Sequence, residues 1–147
     1  EGSRARPGLA TAPATLAGVR QLIRALRRGE AVGLLPDQVP PEGMGVWAPF
    51  FGKPAYTMTL AARLVQQTGA VPLLVWGERM PRGAGYAVHF LPFGESLPED
   101  ASAQAESAAI VNRAMERLIL QQPQQYLWGY NRYKQPRALA AGEALDV

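Results

Sequence analysis

Gly33-Leu34-Leu35-Pro36-Asp37-Gln38 ends a short apolar run, Ala31 to Leu35, and sets a carboxylate and an amide at its end. Read as a buried strand following a helix and a glycine stop, this run gives the chain an α/β layout. Polar groups at the C-terminal end of a strand, beside an apolar rim, are the usual makings of a ligand site in such folds. The rim follows directly. Residues 39–54 read as a loop that carries Trp47, Phe50 and Phe51, and prolines stand at 36, 40, 41, 49 and 54.

Upstream, Thr15 is placed to cap a helix in which Leu16, Val19, Leu22, Ile23 and Leu26 recur at helical spacing and Gly29 supplies the stop. Arg20, Arg24, Arg27 and Arg28 take the other face and read as a solvated stripe. Downstream, Val46 to Pro49 pairs briefly as a strand, and a second helix is expected over 57–67, with Gly69 ending it. Val71, Leu73, Leu74, Val75 and Trp76 form the strongest strand signal, a nearly continuous apolar run that suits a strand covered on both faces. A turn-rich connection from Arg79 to Gly85 leads to a strand over 86–91. Asp100 or Ser102 caps a long helix to about Gln122, with Ala108, Val111, Met115 and Leu118 on its apolar face, and Pro123 breaks it. An aromatic segment through Lys134 follows. The expected organisation is one domain over 1–137 with a frayed tail over 138–147.

The composition is globular, with 147 residues, 48% hydrophobic and 18% charged. The net charge of +3 favours anionic partners without indicating nucleic acid. The chain has no cysteine, which excludes thiol nucleophiles, disulfides and thiolate metal sites. No apolar run approaches the ~18 residues that span a bilayer. The chain begins with Glu1 and reads as part of a longer one.

Among the candidate site residues, Asp37 orients a substrate group or a nearby cation, or simply makes a turn with Pro36. Trp47, Phe50 and Phe51 border an apolar groove or membrane-facing lip, or fold back into the core. Lys53 and the strand-end Arg79 are candidates for anion contacts. His89, the single histidine, alternates with Val88 and Phe90 and reads as a packed strand residue; Gly94 stands five positions on, so it does not begin an H-x-x-x-x-[DE] pair. Tyr126, Trp128, Tyr130 and Tyr133 read as a segment docking its aromatics on the domain, ahead of nucleic-acid stacking. No P-loop, G-x-G-x-x-G, G-x-S-x-G or metal-ligand spacing occurs.

Several stretches together resemble the bacterial lipid A biosynthesis acyltransferases. They are Gly29-Glu30-Ala31-Val32-Gly33-Leu34-Leu35-Pro36-Asp37-Gln38, Pro49-Phe50-Phe51-Gly52-Lys53-Pro54-Ala55, Thr57 to Leu64, Thr68-Gly69-Ala70-Val71-Pro72, and Pro123-x-Gln125-Tyr126-Leu127-Trp128-x-Tyr130-x-Arg132-Tyr133-Lys134. The resemblance covers residues 15–137. It implies the mixed α/β sheet of the glycerolphosphate acyltransferases, flanked by helices and incomplete at the N-terminus. It also implies acyl transfer from acyl carrier protein to a hydroxyl of the Kdo-bearing lipid A precursor, at the cytoplasmic face of the inner membrane and without a cofactor or metal. The family's catalytic histidine–carboxylate box lies upstream of the matched residues, so no catalytic residue is assigned here. Asp37 and Gln38 then shape the acceptor site, where Asp-Gln replaces the Glu-Gly of the related enzymes. Lys53 and Arg79 meet anionic groups, and Trp47, Phe50 and Phe51 border the acyl chain. The alternative is a non-catalytic module that binds anionic lipid. An open sheet edge makes self-association an expectation.

Overall fold

The computed structural model describes residues 8–138. The order of elements is helix α1 (Leu16–Arg27), strands β1 (Gly45–Phe50) and β2 (Lys53–Met58), helix α2 (Leu60–Thr68), strands β3 (Leu73–Arg79) and β4 (Tyr86–Pro92), and helix α3 (Gln104–Ile119). Single 3-10 turns lie at Pro81–Gly83 and Pro123–Gln125. The strands form two separate antiparallel pairs, β1–β2 and β3–β4. The protein is thus mixed α/β, and the expected single mixed sheet is replaced by two small hairpins among the described residues.

Local chemistry accounts for most of the boundaries. Thr15 caps α1 by accepting the Gly18 N–H on Oγ1 at 3.3 Å. Gly18 is buried, and a Cβ there would lie 1.9 Å from the Pro13 carbonyl oxygen. Glycine to alanine inside a helix ordinarily stabilises by ~1 kcal/mol. At Gly18 the sign reverses: Gly18→Ala is expected to lower stability by roughly 1–3 kcal/mol, because backbone must move to admit the methyl group. A urea titration of the variant checks this. Gly69 ends α2 in the left-handed conformation, as expected, and its N–H closes onto the Val65 carbonyl at 2.8 Å. The helix starts at Leu60 and not at Thr57, because residues 53–58 are taken up by pairing with β1. Asp100 folds back on Ser102, accepting from its N–H and hydroxyl at 2.8 and 2.7 Å. It makes a turn ahead of α3, whose first residue is Gln104.

The β1–β2 turn is Phe51-Gly52, with both φ angles positive at 46° and 73°. A two-residue hairpin turn with this geometry favours Asn-Gly. Phe51 is held there instead by its N–H, which donates to Glu116 Oε1 on α3 at 2.7 Å, and by packing its ring on Phe50 with centroids 4.8 Å apart.

Helix α3 is the shared spine. Ile119 and Met115 pack against Phe50 and Ala55 of the first hairpin, while Ile110, Val111 and Ala114 pack with Phe93, Leu74 and Leu97 beside the second. Glu95 clamps the chain after β4 to this helix, accepting from Arg113 at 2.6 Å and Arg117 at 2.5 Å. Those hydrogen bonds, Arg113's first, hold the Glu95 carboxyl below its ordinary value of 4.5. Its stabilisation is therefore present above that value and lost as pH falls through the lower folded one. The cluster is largely solvated, so Glu95→Gln should cost under ~1 kcal/mol at pH 7 and less at pH 2. Paired melts at the two pH values check this.

Two expectations about strands need correction. Ala31 to Leu35 is not a strand: none of Ala31, Val32, Gly33 and Leu34 enters a backbone hydrogen bond among the described residues. Apolar character sets which residues avoid water, but a strand needs a neighbour to complete its ladder. Nor is β3 covered on both faces. Leu74, Trp76 and Glu78 turn inward, whereas Leu73 and Val75 are exposed, and β4 alternates likewise. The tail expected over 138–147 lies, apart from Ala138, outside the described residues.

Candidate functional site

Asp37 stands on the rim of a cavity of about 780 Å³. The walls are mainly apolar and include Leu34, Leu64, Trp76, Phe93 and Met115, with Tyr126 beside Asp37. This size is within the range of small-molecule sites. Asp37 Oδ2 accepts a hydrogen bond from the Tyr126 hydroxyl at 3.0 Å. Burial, and then the Asp37 charge, push the Tyr126 phenol well above its usual value, so it stays a donor.

The segment after α3 fixes this corner with three tyrosines. Tyr126 holds Asp37, the Tyr130 hydroxyl accepts the Val39 N–H at 2.8 Å, and the Tyr133 hydroxyl donates to the Phe50 carbonyl at 2.9 Å. The aromatic tail therefore docks on the domain, as its pattern suggested. Between these tyrosines Arg132 is driven inward and is only 3% exposed. Its guanidinium donates to the Tyr56 carbonyl and to Thr57 Oγ1, both at 2.8 Å, and to Asn112 Oδ1 at 3.3 Å. It also lies 5.1 Å from the Phe50 ring centroid. Asn112 in turn donates to the Pro49 carbonyl at 2.8 Å and to Thr57 Oγ1 at 2.9 Å. No carboxylate is in ion-pair contact with Arg132 among the described residues. Burial lowers its pKa, and the nearby Tyr126 and Asp37 oppose that shift. Tyr126 is the residue that ties Asp37 to this corner.

The other candidates are dispersed. Gln38 is exposed and outside the cavity lining. Lys53 is exposed, with Nζ 6.0 Å from the Tyr133 ring centroid. Arg79 is exposed at the end of β3, its backbone N–H donating to Gln125 Oε1 at 2.8 Å. Trp47 points to the opposite side of β1 from Phe50 and meets Tyr56 edge-on at 5.4 Å. Phe50 is 1% exposed and belongs to the core. Phe51 is half-buried and lies 6.1 Å from Trp128. The four basic residues at 20, 24, 27 and 28 are exposed, as expected of a solvated face.

His89 is a packed strand residue, stacked on Trp76 at 4.7 Å, with Nε2 2.8 Å from Glu78 Oε2. No group of three or more His, Cys, Asp or Glu side chains is arranged to hold a metal among the described residues, and no described helix is long and apolar enough to cross a membrane.

Sequence reading missed Arg132, Asn112, Thr57 and Glu116. Asn112 carried a usable signal: it is a polar residue beside Val111 on the apolar stripe of α3. Arg132, among tyrosines and before Lys134, looked like any surface cation.

The family model described as bacterial lipid A biosynthesis acyltransferase matches residues 2–135. The chain is 32% identical over 117 residues to the lipid A biosynthesis palmitoleoyltransferase of Escherichia coli (strain K12), which covers 79% of this chain and 37% of that protein. It is 34% identical over 118 residues to the lipid A biosynthesis lauroyltransferase of the same organism, covering 79% and 38%. The lipid A biosynthesis acyltransferase of Shigella flexneri matches at 32%. The chain thus spans under two fifths of the length of these relatives.

Proposed function

Because the chain belongs to the bacterial lipid A biosynthesis acyltransferases, we propose that it forms the acceptor-side portion of such an enzyme. The enzyme moves a fatty acyl chain from acyl carrier protein to a hydroxyl of the Kdo-bearing lipid A precursor, on a glycerolphosphate-acyltransferase-like fold. One observation carries this reading. Two of the stretches that carry the family resemblance, Leu-Pro-Asp37-Gln38 and Gln125-Tyr126-Leu-Trp128, are 89 residues apart in their contacting members and meet in the Tyr126–Asp37 hydrogen bond at the cavity rim.

The chemistry assigned to these residues is positioning. Asp37, fixed by Tyr126, presents its remaining oxygen lone pairs to an acceptor hydroxyl or amide. The base that deprotonates the acceptor belongs to a segment outside these residues, since no H-x-x-x-x-[DE] box occurs in the chain. Exposed Leu127 and Trp128, with Lys134 nearby in sequence, suit a surface resting against anionic lipid at the inner face of the inner membrane.

The test is a chimera in which this chain replaces the matching residues of the lauroyltransferase relative. Transfer from acyl carrier protein is expected from the chimera and not from the isolated chain. Asp37→Ala should reduce it roughly 10–100-fold, the scale of a misplaced reactant, and Asp37→Asn, which keeps the acceptor oxygen for Tyr126, by less. Turnover by the isolated chain, or an Asp37→Ala chimera as active as its parent, would overturn the assignment.

A further inference from the structure

A second, smaller pocket of about 260 Å³ opens in the aromatic segment after α3. It is walled by Phe50, Tyr126 and residues 128–133, and neither Asp37 nor Glu116 is among its walls. Sites for drug-sized ligands span ~300–1,000 Å³, so this one has room for a small group only. Arg132 is one of the walls, yet it is only 3% exposed. Its two Nη atoms are committed to the Tyr56 carbonyl, Thr57 and Asn112, and its Nε is buried with no partner among the described residues. A buried cation with an orphaned donor and no ion pair marks a place where an anion is favoured.

Two more cations stand over the same walls. Lys134 Nζ lies 4.9 Å from the Tyr130 ring centroid, and Lys53 Nζ lies 6.0 Å from that of Tyr133. Both lysines are exposed, and neither is in an ion pair among the described residues. The loop adds uncommitted donors, because the backbone N–H groups of Gly129, Asn131 and Arg132 make no hydrogen bond among the described residues. Three positive charges thus surround a pocket whose walls hold no carboxylate. Beside it Leu127 and Trp128 are left apolar and exposed.

These features select among anions. A carboxylate carries one charge and is best met by the open fork of a guanidinium, which Arg132 has already given to protein acceptors. A phosphate monoester carries about −1.5 to −2 charge near neutral pH and offers three acceptor oxygens to ammonium and backbone donors. Arg132 acts on it through its field, which the protein interior screens less than water does. We propose that the pocket at residues 128–133 binds a phosphate monoester, held by Lys53, Lys134 and the loop N–H groups above the buried charge of Arg132. When the monoester is a lipid headgroup, Leu127 and Trp128 rest in the apolar edge of the bilayer. The proposal stands on this pocket and not on the cavity beside Asp37. Its readouts contain no acyl transfer, so it and the proposed function fail separately.

Flotation of the chain with two kinds of phosphatidylcholine vesicle tests it, one carrying phosphatidic acid and the other phosphatidylglycerol at matched surface charge. Binding is expected to be several-fold tighter to phosphatidic acid, whose headgroup is a monoester. The double variant Lys53→Gln/Lys134→Gln should lose roughly tenfold or more on those vesicles, at about 1 kcal/mol for each lysine. Arg20→Gln/Arg24→Gln removes two cations that are exposed elsewhere and should change binding by less than twofold. All four positions are on the surface, so circular dichroism should be unchanged in both variants. Calorimetry with inorganic phosphate forms the soluble arm. Phosphate binding that the lysine variant loses, with vesicles binding no tighter, supports the same pocket with a soluble phosphate as its ligand. Equal binding to the two vesicle types with no binding of inorganic phosphate overturns the proposal. Equal losses in the two double variants also overturn it, because the attraction is then to net charge and not to a site.

Discussion

Arg132→Ala is expected to destabilise the protein by roughly 2–5 kcal/mol, because buried neutral acceptors lose their donor while no buried charge is left behind. The substitution strips donors from the Tyr56 carbonyl and from Asn112 Oδ1 and removes the cation stacked on Phe50. Each buried acceptor left without a partner costs about 1–3 kcal/mol. Thr57 loses less, because its hydroxyl still donates to the Ala55 carbonyl and accepts from Asn112. Arg132→Lys should recover only part of the loss, since an ammonium cannot span the three acceptors as a planar fork does. Asn112→Ala should fall in a similar range. The double variant should cost less than the two single losses added, by ~1 kcal/mol or more, because both residues serve Thr57. Urea titrations of the four proteins check this. A loss under ~1 kcal/mol for Arg132→Ala would mean that burying an unpaired cation offsets nearly all its hydrogen bonds.

Phe50→Ala is expected to cost about 3–5 kcal/mol, the range for removing a fully buried phenylalanine from a core. Its ring is wedged among Ala55, Ile119, Met115 and Tyr126, with Phe51 edge-on and Arg132 above it. The space vacated lies between a hairpin and a helix that are locked by the Glu116–Phe51 and Asn112–Pro49 hydrogen bonds, so it collapses poorly. Phe50→Leu should lose far less. The contrast also separates two roles for this residue. If the ring only supports the core, a Phe50→Leu chimera transfers acyl groups as its parent does. If it borders the acyl chain, transfer falls while the melting temperature holds.

Much of this molecule is visible in local pattern. Thr15 and Gly69 mark helix ends because capping and left-handed backbone are properties of single residues and their immediate neighbours. The two strands of the second hairpin were readable from the apolar run after Gly69 and the turn-rich connection through Arg82, Gly83 and Gly85, but the alternating burial along 73–79 was not. The first hairpin was half hidden. Phe51-Gly52 lacks the Asn or Asp that usually advertises such a turn, and two prolines stand opposite one another as Pro49 and Pro54. Asp37 was singled out from its place after an apolar run, yet its partner Tyr126 could not be read, because nothing local connects residues 89 positions apart.

By itself, then, the sequence determined the three helices, the helix ends at Thr15 and Gly69, the strands β3 and β4 with the turn between them, the docked aromatic tail and membership of an acyltransferase family. Spacing and motif are carried by the covalent order of residues, so they survive without any neighbour in space. Only the tertiary structure decided that Phe50 is core, that Arg132 is buried against the Tyr56 carbonyl 76 residues away, and that Ala31 to Leu35 lines the cavity and joins no sheet among the described residues. Burial of a charge and pairing of a strand each depend on which distant groups supply hydrogen bonds. The same apolar run is a strand beside a partner and an open wall without one.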